Sequence, residues 1–376
     1  MRNVSFALRL AALLLLAVPI LPAHAATGFR TGFVRWRAAD GAFVGWERRG
    51  TLVSADGKLE LPAPGTGEAD SPPVDLAFPA AEVVPSWNAD APAGATVELF
   101  LRAHLGDRWT DWYAMGVWTA DDTPGARHSV AGQRNADAAV ATDTLQLRRA
   151  GADALQLRVR LTGAEDARPS LRNVALAYST TPAAQPEVAK GDAALWRGAL
   201  PVPVCSQMVY RDGGNAWCSP TSTSMVLGYW SHDDGPCEPR VRAAVAGVFD
   251  AVYHGHGNWP FNAAYAATQG YEAYVARFGS LAELEPWLAA GVPVVFSFSY
   301  RAGELANSPL NSVGGHLSVL VGFDGDGNPI VNDPAAASDG QVQRTYRRAQ
   351  LERLWLERGG GTVYLIYPPG WAVPTL

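Results

Sequence analysis

The residue pattern changes character once along the chain, near position 185, and no single architecture accounts for both sides of that change. Up to about residue 180, short runs alternate apolar and polar residues. Leu155-Gln156-Leu157-Arg158-Val159-Arg160-Leu161 puts Leu, Leu, Val and Leu on one side and Gln, Arg and Arg on the other. That period of two marks a strand half-buried in an antiparallel sheet. Asp40-Gly41, Asp56-Gly57 and Gly106-Asp107 supply turns between such runs. Many short strands with regular turns predict an all-β sandwich or jelly roll over residues 27–180. Residues 181–195 open with Thr181-Pro182-Ala183-Ala184-Gln185-Pro186, carry no periodicity and read as a linker. Helix-like segments then follow at 220–230, 238–249 and 281–290, and strand-like ones at 292–299, 317–323, 330–332 and 362–367. Residues 196–376 therefore read as an α+β domain. A chain of 376 residues exceeds one core of ordinary size, so a multidomain protein with two folded parts is the expectation.

The first 25 residues read as an address. Arg2 and Arg9 flank the start of an apolar run over residues 10–21, followed by Ala23-His24-Ala25. This is the layout of a signal peptide, and the run falls short of the roughly 20 residues a membrane span needs. The expected product is exported, periplasmic or extracellular, without a membrane partner after cleavage. There are 30 basic and 36 acidic residues, a formal charge of −6, and so no basic surplus for nucleic acid. Lys58 and Lys190 are the only lysines and neither closes a phosphate-binding loop, which excludes that kind of nucleotide chemistry.

Cys205, Cys218 and Cys237 allow one internal disulfide and leave one thiol. Cys218 stands just before Pro220, which suits a first helical turn because its missing N–H has no helical partner there. The positive end of a helix favours thiolate over thiol, so Cys218 is the candidate nucleophile. Cys205 and Cys237 bracket its helix and are the expected disulfide. A nucleophilic thiol requires a base. His104 and His128 belong to the first half, and His232 falls at the far end of the helix. His316 opens a strand directly after Gly314-Gly315, where a partner can approach closely. A hairpin turn at Asp324-Gly325 pairs position 316 with Asp333, whereas a turn at Asp326-Gly327 pairs it with position 337. In the first register Asp333 accepts the imidazole N–H and orients the ring. His254 and His256 lie in a glycine-rich loop near Asp250. A zinc site would need a further ligand that is not in sight, so the loop is expected to line a cleft, with Trp259 as a substrate-side wall. Neither a metal nor an organic cofactor is required.

These pieces, taken in order, resemble a known family. Val202-Pro203-Val204-Cys205-Ser206-Gln207, Trp217-Cys218-Ser219-Pro220-Thr221-Ser222, Gly314-Gly315-His316-Leu317-Ser318-Val319 and Val331-Asn332-Asp333-Pro334 resemble the C39-like cysteine peptidases of bacterial exported proteins. The resemblance implies an α+β papain-like fold. It further implies that Cys218 attacks a carbonyl, His316 serves as base and then acid, and Asp333 orients it. Gln207 would donate its amide to the oxyanion beside the Cys218 N–H. Trp217, Ser219 and Gly315 are expected to touch substrate, with Ser219 standing where many relatives carry Gly. The implied activity is hydrolysis of amide bonds in a peptide or protein through a Cys218 thioester. Peptidoglycan cross-bridge cleavage or acyl transfer on the same residues is an alternative. So is an inactive glycan- or cell-wall-binding protein. That last reading draws on Trp36, Trp46, Trp87, Trp109, Trp112, Tyr113 and Trp118, which either fill the β core or stack on sugars, with Trp109 and Trp112 as the expected exposed pair.

Overall fold

The computed structural model describes residues 28–148, 151–182 and 186–376. The signal-peptide expectation for residues 1–25, and residues 183–185 of the expected linker, lie outside these. Among the described residues there are three antiparallel sheets, and no helix is long and apolar enough to cross a membrane.

Two sheets form the N-terminal half around one core. The first runs Ala138–Ala141, Thr144–Leu147, Glu82–Asp90, Ser170–Ser179, Leu59–Glu60, Leu52–Val53, with Thr31–Arg37 also paired to Ser170–Ser179. The second runs Glu47–Arg49, Gly65–Asp70, Ala152–Gly163, Thr96–His104, Tyr113–Trp118, with Val74–Ala80 also on Ala152–Gly163. Thr96–His104 alternates buried and half-buried residues along its length, so Val97, Leu99, Leu101 and Ala103 all enter the core. Trp36, Trp46, Trp87, Tyr113 and Trp118 are buried there too. Trp109 and Trp112 are half-buried, and guanidinium groups cover their rings. Arg102 lies 4.8 Å from the Trp109 centroid and 4.7 Å from that of Trp112, and Arg158 lies 4.5 Å from Trp112.

The C-terminal half holds helices α1 (Cys218–Ser231), α2 (Cys237–Val248), α3 (Trp259–Thr268), α4 (Glu285–Ala289) and α5 (Arg348–Gly359). Its sheet runs Glu272–Arg277, Thr362–Tyr367, Val294–Tyr300, Val313–Phe323, Pro329–Asn332, Gln343–Thr345, with Gly198–Ala199 paired to Val313–Phe323. The sequence pattern gives α1 and α2 to within two residues. It misses α3 and α5, although Asn258 caps α3 by accepting the Phe261 N–H, and Gly360 ends α5 in the left-handed region.

The two halves interpenetrate. Strand Glu82–Asp90 is buried on both faces, including the polar residues Ser86 and Asn88. Their side chains bind the exposed edge of the third sheet. Ser86 Oγ accepts the Val275 N–H at 3.0 Å, and Asn88 donates to the Ala273 carbonyl at 2.5 Å and accepts its N–H at 3.3 Å. An open sheet edge is thereby covered. Phe261 of α3 enters the N-terminal core, its ring 6.0 Å from that of Trp87 and 5.6 Å from that of Trp118. Gly116 admits it: a Cβ there would stand 3.2 Å from the Phe261 ring. Arg127, almost fully buried, donates to the carbonyls of Ala246 and Phe249 across the seam.

Candidate active site

Helix α1 begins at Cys218 itself. Small residues let it sit buried on nearly every side, and most of its buried hydroxyls find partners. Ser219 Oγ lies 3.0 Å from the Tyr364 hydroxyl, Ser222 donates to the Leu317 carbonyl, and Thr223 to Asn262. The helix ends at His232 in the left-handed region, far from the thiol. Cys205 and Cys237 form a disulfide, and Cys218 is the free cysteine, half-buried.

Strand Val313–Phe323 brings His316 to the thiol. The His316 ring lines the same cleft as Cys218 and interacts with it electrostatically, and its Nε2 lies 2.7 Å from Asp333 Oδ1. Asp333 is fully buried and also accepts the Ala335 N–H at 3.0 Å and the Tyr346 hydroxyl at 2.6 Å. The Phe298 ring meets His316 edge-on, with centroids 5.4 Å apart. Burial alone would push each of these groups toward its neutral form, and the mutual interactions outweigh it. His316 is pushed up to about 10 by the Asp333 charge and its bonds to Asp333 and Cys218. The Cys218 thiol is pulled below its ordinary value by the hydrogen bond and charge of His316. Asp333 is lowered by the His316 charge, that hydrogen bond and the Tyr346 hydroxyl. The arrangement favours a thiolate beside an imidazolium held by a buried carboxylate.

The hairpin register is neither of the two the sequence suggested. Asp324 accepts the N–H groups of Asp326 and Asn328, Gly327 takes a φ of +78°, and Phe323 pairs with Pro329. The register then shifts between Leu320 and Gly322, so that Val319 faces Asn332. The close approach of Gly198 to the other side of this strand leaves no room for a side chain at Gly322: a Cβ there would stand 1.8 Å from the Gly198 carbonyl oxygen. Asp333 follows the end of its strand and reaches His316 from there, not as its direct cross-strand partner.

A cleft of about 770 Å³ opens onto Cys218 and His316, lined also by Gln207, Gly315, Trp259, His254 and His256. Gly315 is exposed and has open space where a Cβ would stand. Gln207 donates one amide hydrogen to the Gly214 carbonyl at 2.7 Å, and its buried Oε1 has no partner among the described residues. Its second amide hydrogen is uncommitted there. Trp217 is 6% exposed and packs against Tyr210 and His256 rather than lining the cleft. Ser219 is 1% exposed and tied to Tyr364, so it does not flank the opening. His256 is held at about 4 by burial and is neutral at ordinary pH. Asp250 uses its carboxylate on Ser129, Val252, Tyr253 and Asn258. Tyr346 and the cleft-lining Asp143 escaped the sequence reading. No motif marks either one, and the contact of Asp143 with the other half is visible only once the chain is folded.

Two peptidase C39 family models match separate parts of the chain. Residues 33–179 match the peptidase C39 N-terminal domain, and residues 199–363 match the peptidase C39 like family. Residues 199–363 thus belong to the C39-like peptidases. Among solved structures, a protein described as a C39-like peptidase from Bacillus anthracis is 18% identical with a TM-score of 0.31, over 44% of this chain and 95% of that one. A prointerpain A fragment from Prevotella intermedia is 12% identical with a TM-score of 0.30, over 50% and 77%. A xylan-binding module is 12% identical with a TM-score of 0.24, over 40% and 97%. No curated protein matches the chain in sequence.

Proposed function

We propose that the protein is an exported cysteine peptidase or amidase that cleaves amide bonds through an acyl-enzyme on Cys218. The observation carrying this reading is that the free Cys218 thiol and the His316 imidazole line one cleft, with His316 hydrogen-bonded to the buried Asp333 carboxylate. The thiolate adds to the substrate carbonyl carbon, and the oxygen takes the negative charge. Cys218 is the first residue of α1, so its N–H has no helical partner and is available to that oxyanion. The uncommitted amide hydrogen of Gln207 is the second donor. The imidazolium of His316 then protonates the leaving amine as the C–N bond breaks, leaving a thioester. Water, deprotonated by His316, attacks the thioester and releases the acid. Asp333 holds the ring in place and stabilises its cationic form.

The C-terminal half is read as a papain-like α+β domain and the N-terminal half as a β-sandwich fused to it. Export rests on the leader-like first 25 residues and agrees with the Cys205–Cys237 disulfide. Sugar stacking on Trp109 and Trp112 loses support because Arg102 and Arg158 cover those rings. The test is hydrolysis of casein and small amide substrates. Hydrolysis should disappear in Cys218→Ala and after iodoacetamide treatment. Amide hydrolysis that survives both treatments would refute the reading.

A further inference from the structure

The catalytic cleft has a wall that the mechanism does not use, and the N-terminal half supplies it. Strands Ala138–Ala141 and Thr144–Leu147 form a hairpin whose tip, Thr142-Asp143, lines the same cleft as Cys218 and His316. Thr142 takes a φ of 57°, the left-handed region, to make this tight turn. Asp143 is 6% exposed. One of its carboxylate oxygens accepts the Trp259 N–H at 2.8 Å and the other accepts the Thr144 hydroxyl at 3.0 Å. An ionised carboxylate has about four acceptor positions, so two remain.

Neither bond brings a counter-charge, and the guanidinium groups lining the cleft are ion-paired with other carboxylates. Arg277 is bound by Glu82 and Ser179, and Arg358 by Glu304. Glu357 adds a further carboxylate to the lining. Burial holds the Asp143 carboxyl up at about 6 despite its two hydrogen bonds and the nearby Arg277. Burial raises the Tyr253 and Tyr364 hydroxyls, and the charges of both Asp143 and Cys218 raise them further, so carboxylate and sulfur share one electrostatic neighbourhood. A buried carboxylate with no cation bonded to it, only the Arg277 charge nearby, is stabilised by a ligand that brings one into contact.

We infer that Asp143 is a specificity-determining residue that selects substrates carrying a Lys or Arg side chain close to the scissile amide. The inference rests on the peptidase reading for the identity of the ligand, while the charge selection itself can be measured without hydrolysis. Cys218 is the free thiol, so the mature full-length chain is treated with two methanethiosulfonate reagents. One carries an ethyltrimethylammonium group and the other an ethylsulfonate group. Each rate is divided by that of free cysteine. The cation-to-anion ratio should be about tenfold or more in the wild type, fall with added salt, and drop severalfold in Asp143→Asn. Asn keeps an acceptor for the Trp259 N–H, so a purely structural latch would leave the ratio unmoved. A wild-type ratio equal to that of free cysteine overturns the inference with no variant needed, and an equal ratio in wild type and Asp143→Asn overturns it as well. In parallel, peptides differing only by Lys, norleucine or Glu near the cleaved bond are compared by kcat/KM. Cleavage without a Lys preference refutes the inference and leaves the peptidase reading standing. A charge-dependent thiol with no cleavage of any peptide supports the cation site and refutes the peptidase reading.

Discussion

Replacing Tyr346 by Phe removes one oxygen and tests whether Asp333 carries a buried negative charge. The Tyr346 hydroxyl donates to Asp333 Oδ2 at 2.6 Å, and both residues are essentially inaccessible. Phe fills the same space, so the change deletes a hydrogen bond without opening a cavity. A bond to a charged acceptor contributes about 1.5–3 kcal/mol, and here the carboxylate is left one donor short in a site with no access to solvent. We expect a stability loss of about 2 kcal/mol at pH 7, read from denaturant midpoints at constant m. The pH dependence carries the sign. Asp333 has a folded pKa depressed below its ordinary 3.8, so the stabilisation of its charged form is complete above that value. It is lost as pH falls through the folded pKa. The deficit of Tyr346→Phe should therefore be largest above about pH 4 and shrink below it. A positioning role also predicts a changed pH profile for alkylation of Cys218, because Tyr346 acts on His316 only through Asp333. A variant as stable as the wild type at pH 7, with an unchanged alkylation profile, would refute the assignment of a charged Asp333.

Further expectations concern the seam and the staple. Phe261→Ala empties a fully buried site between Trp87 and Trp118 and should cost about 3–5 kcal/mol, measured by denaturation of the whole chain; a cost under about 1 kcal/mol would show that the halves do not share a core. Asp143 has a folded pKa raised from 3.8 to about 6, so the wild type loses stability as pH rises through that interval. Asp143→Asn should thus be more stable by up to about 3 kcal/mol above pH 7 and gain nothing from the charge near pH 4, as read from Tm against pH. Reducing Cys205–Cys237, which spans 32 residues, should lower stability by about 3–4 kcal/mol in the chain-entropy model; an unchanged midpoint under reductant would contradict that.

What the sequence makes legible follows from what is local. Pro220 and the run of small residues mark the start of α1, and the alternation of 155–161 marks a strand, because each pattern is dictated by backbone geometry over a few residues. The hairpin register was not legible. It turns on the loop Asp324 closes by accepting the N–H groups of Asp326 and Asn328, and on a bulge between Leu320 and Gly322, neither of which an Asp-Gly pair in the sequence singles out. The seam was hidden because its contacts join segments far apart in the chain. Ser86 and Asn88 look like the solvent side of a strand until Ala273 and Val275 present an unpaired edge to them. Trp217 and Ser219 flank the nucleophile in sequence, yet both side chains are buried, Trp217 from the turn before α1 and Ser219 from its first turn. The signals for α3 and α5 were present in Asn258, Pro260 and Gly360, but apolar residues all round α3 erase the helical period because both halves bury it.

The central claim is that Cys218 and His316 exist as a thiolate and an imidazolium, and the rate of Cys218 alkylation by iodoacetamide as a function of pH tests it most directly. The wild type should react at a rate nearly flat from pH 6 to 8. His316→Ala should restore the steep rise of an ordinary thiol and fall about 100-fold below the wild type near pH 6.5. A wild-type rate that climbs tenfold per pH unit across that range, indistinguishable from His316→Ala, would contradict the account.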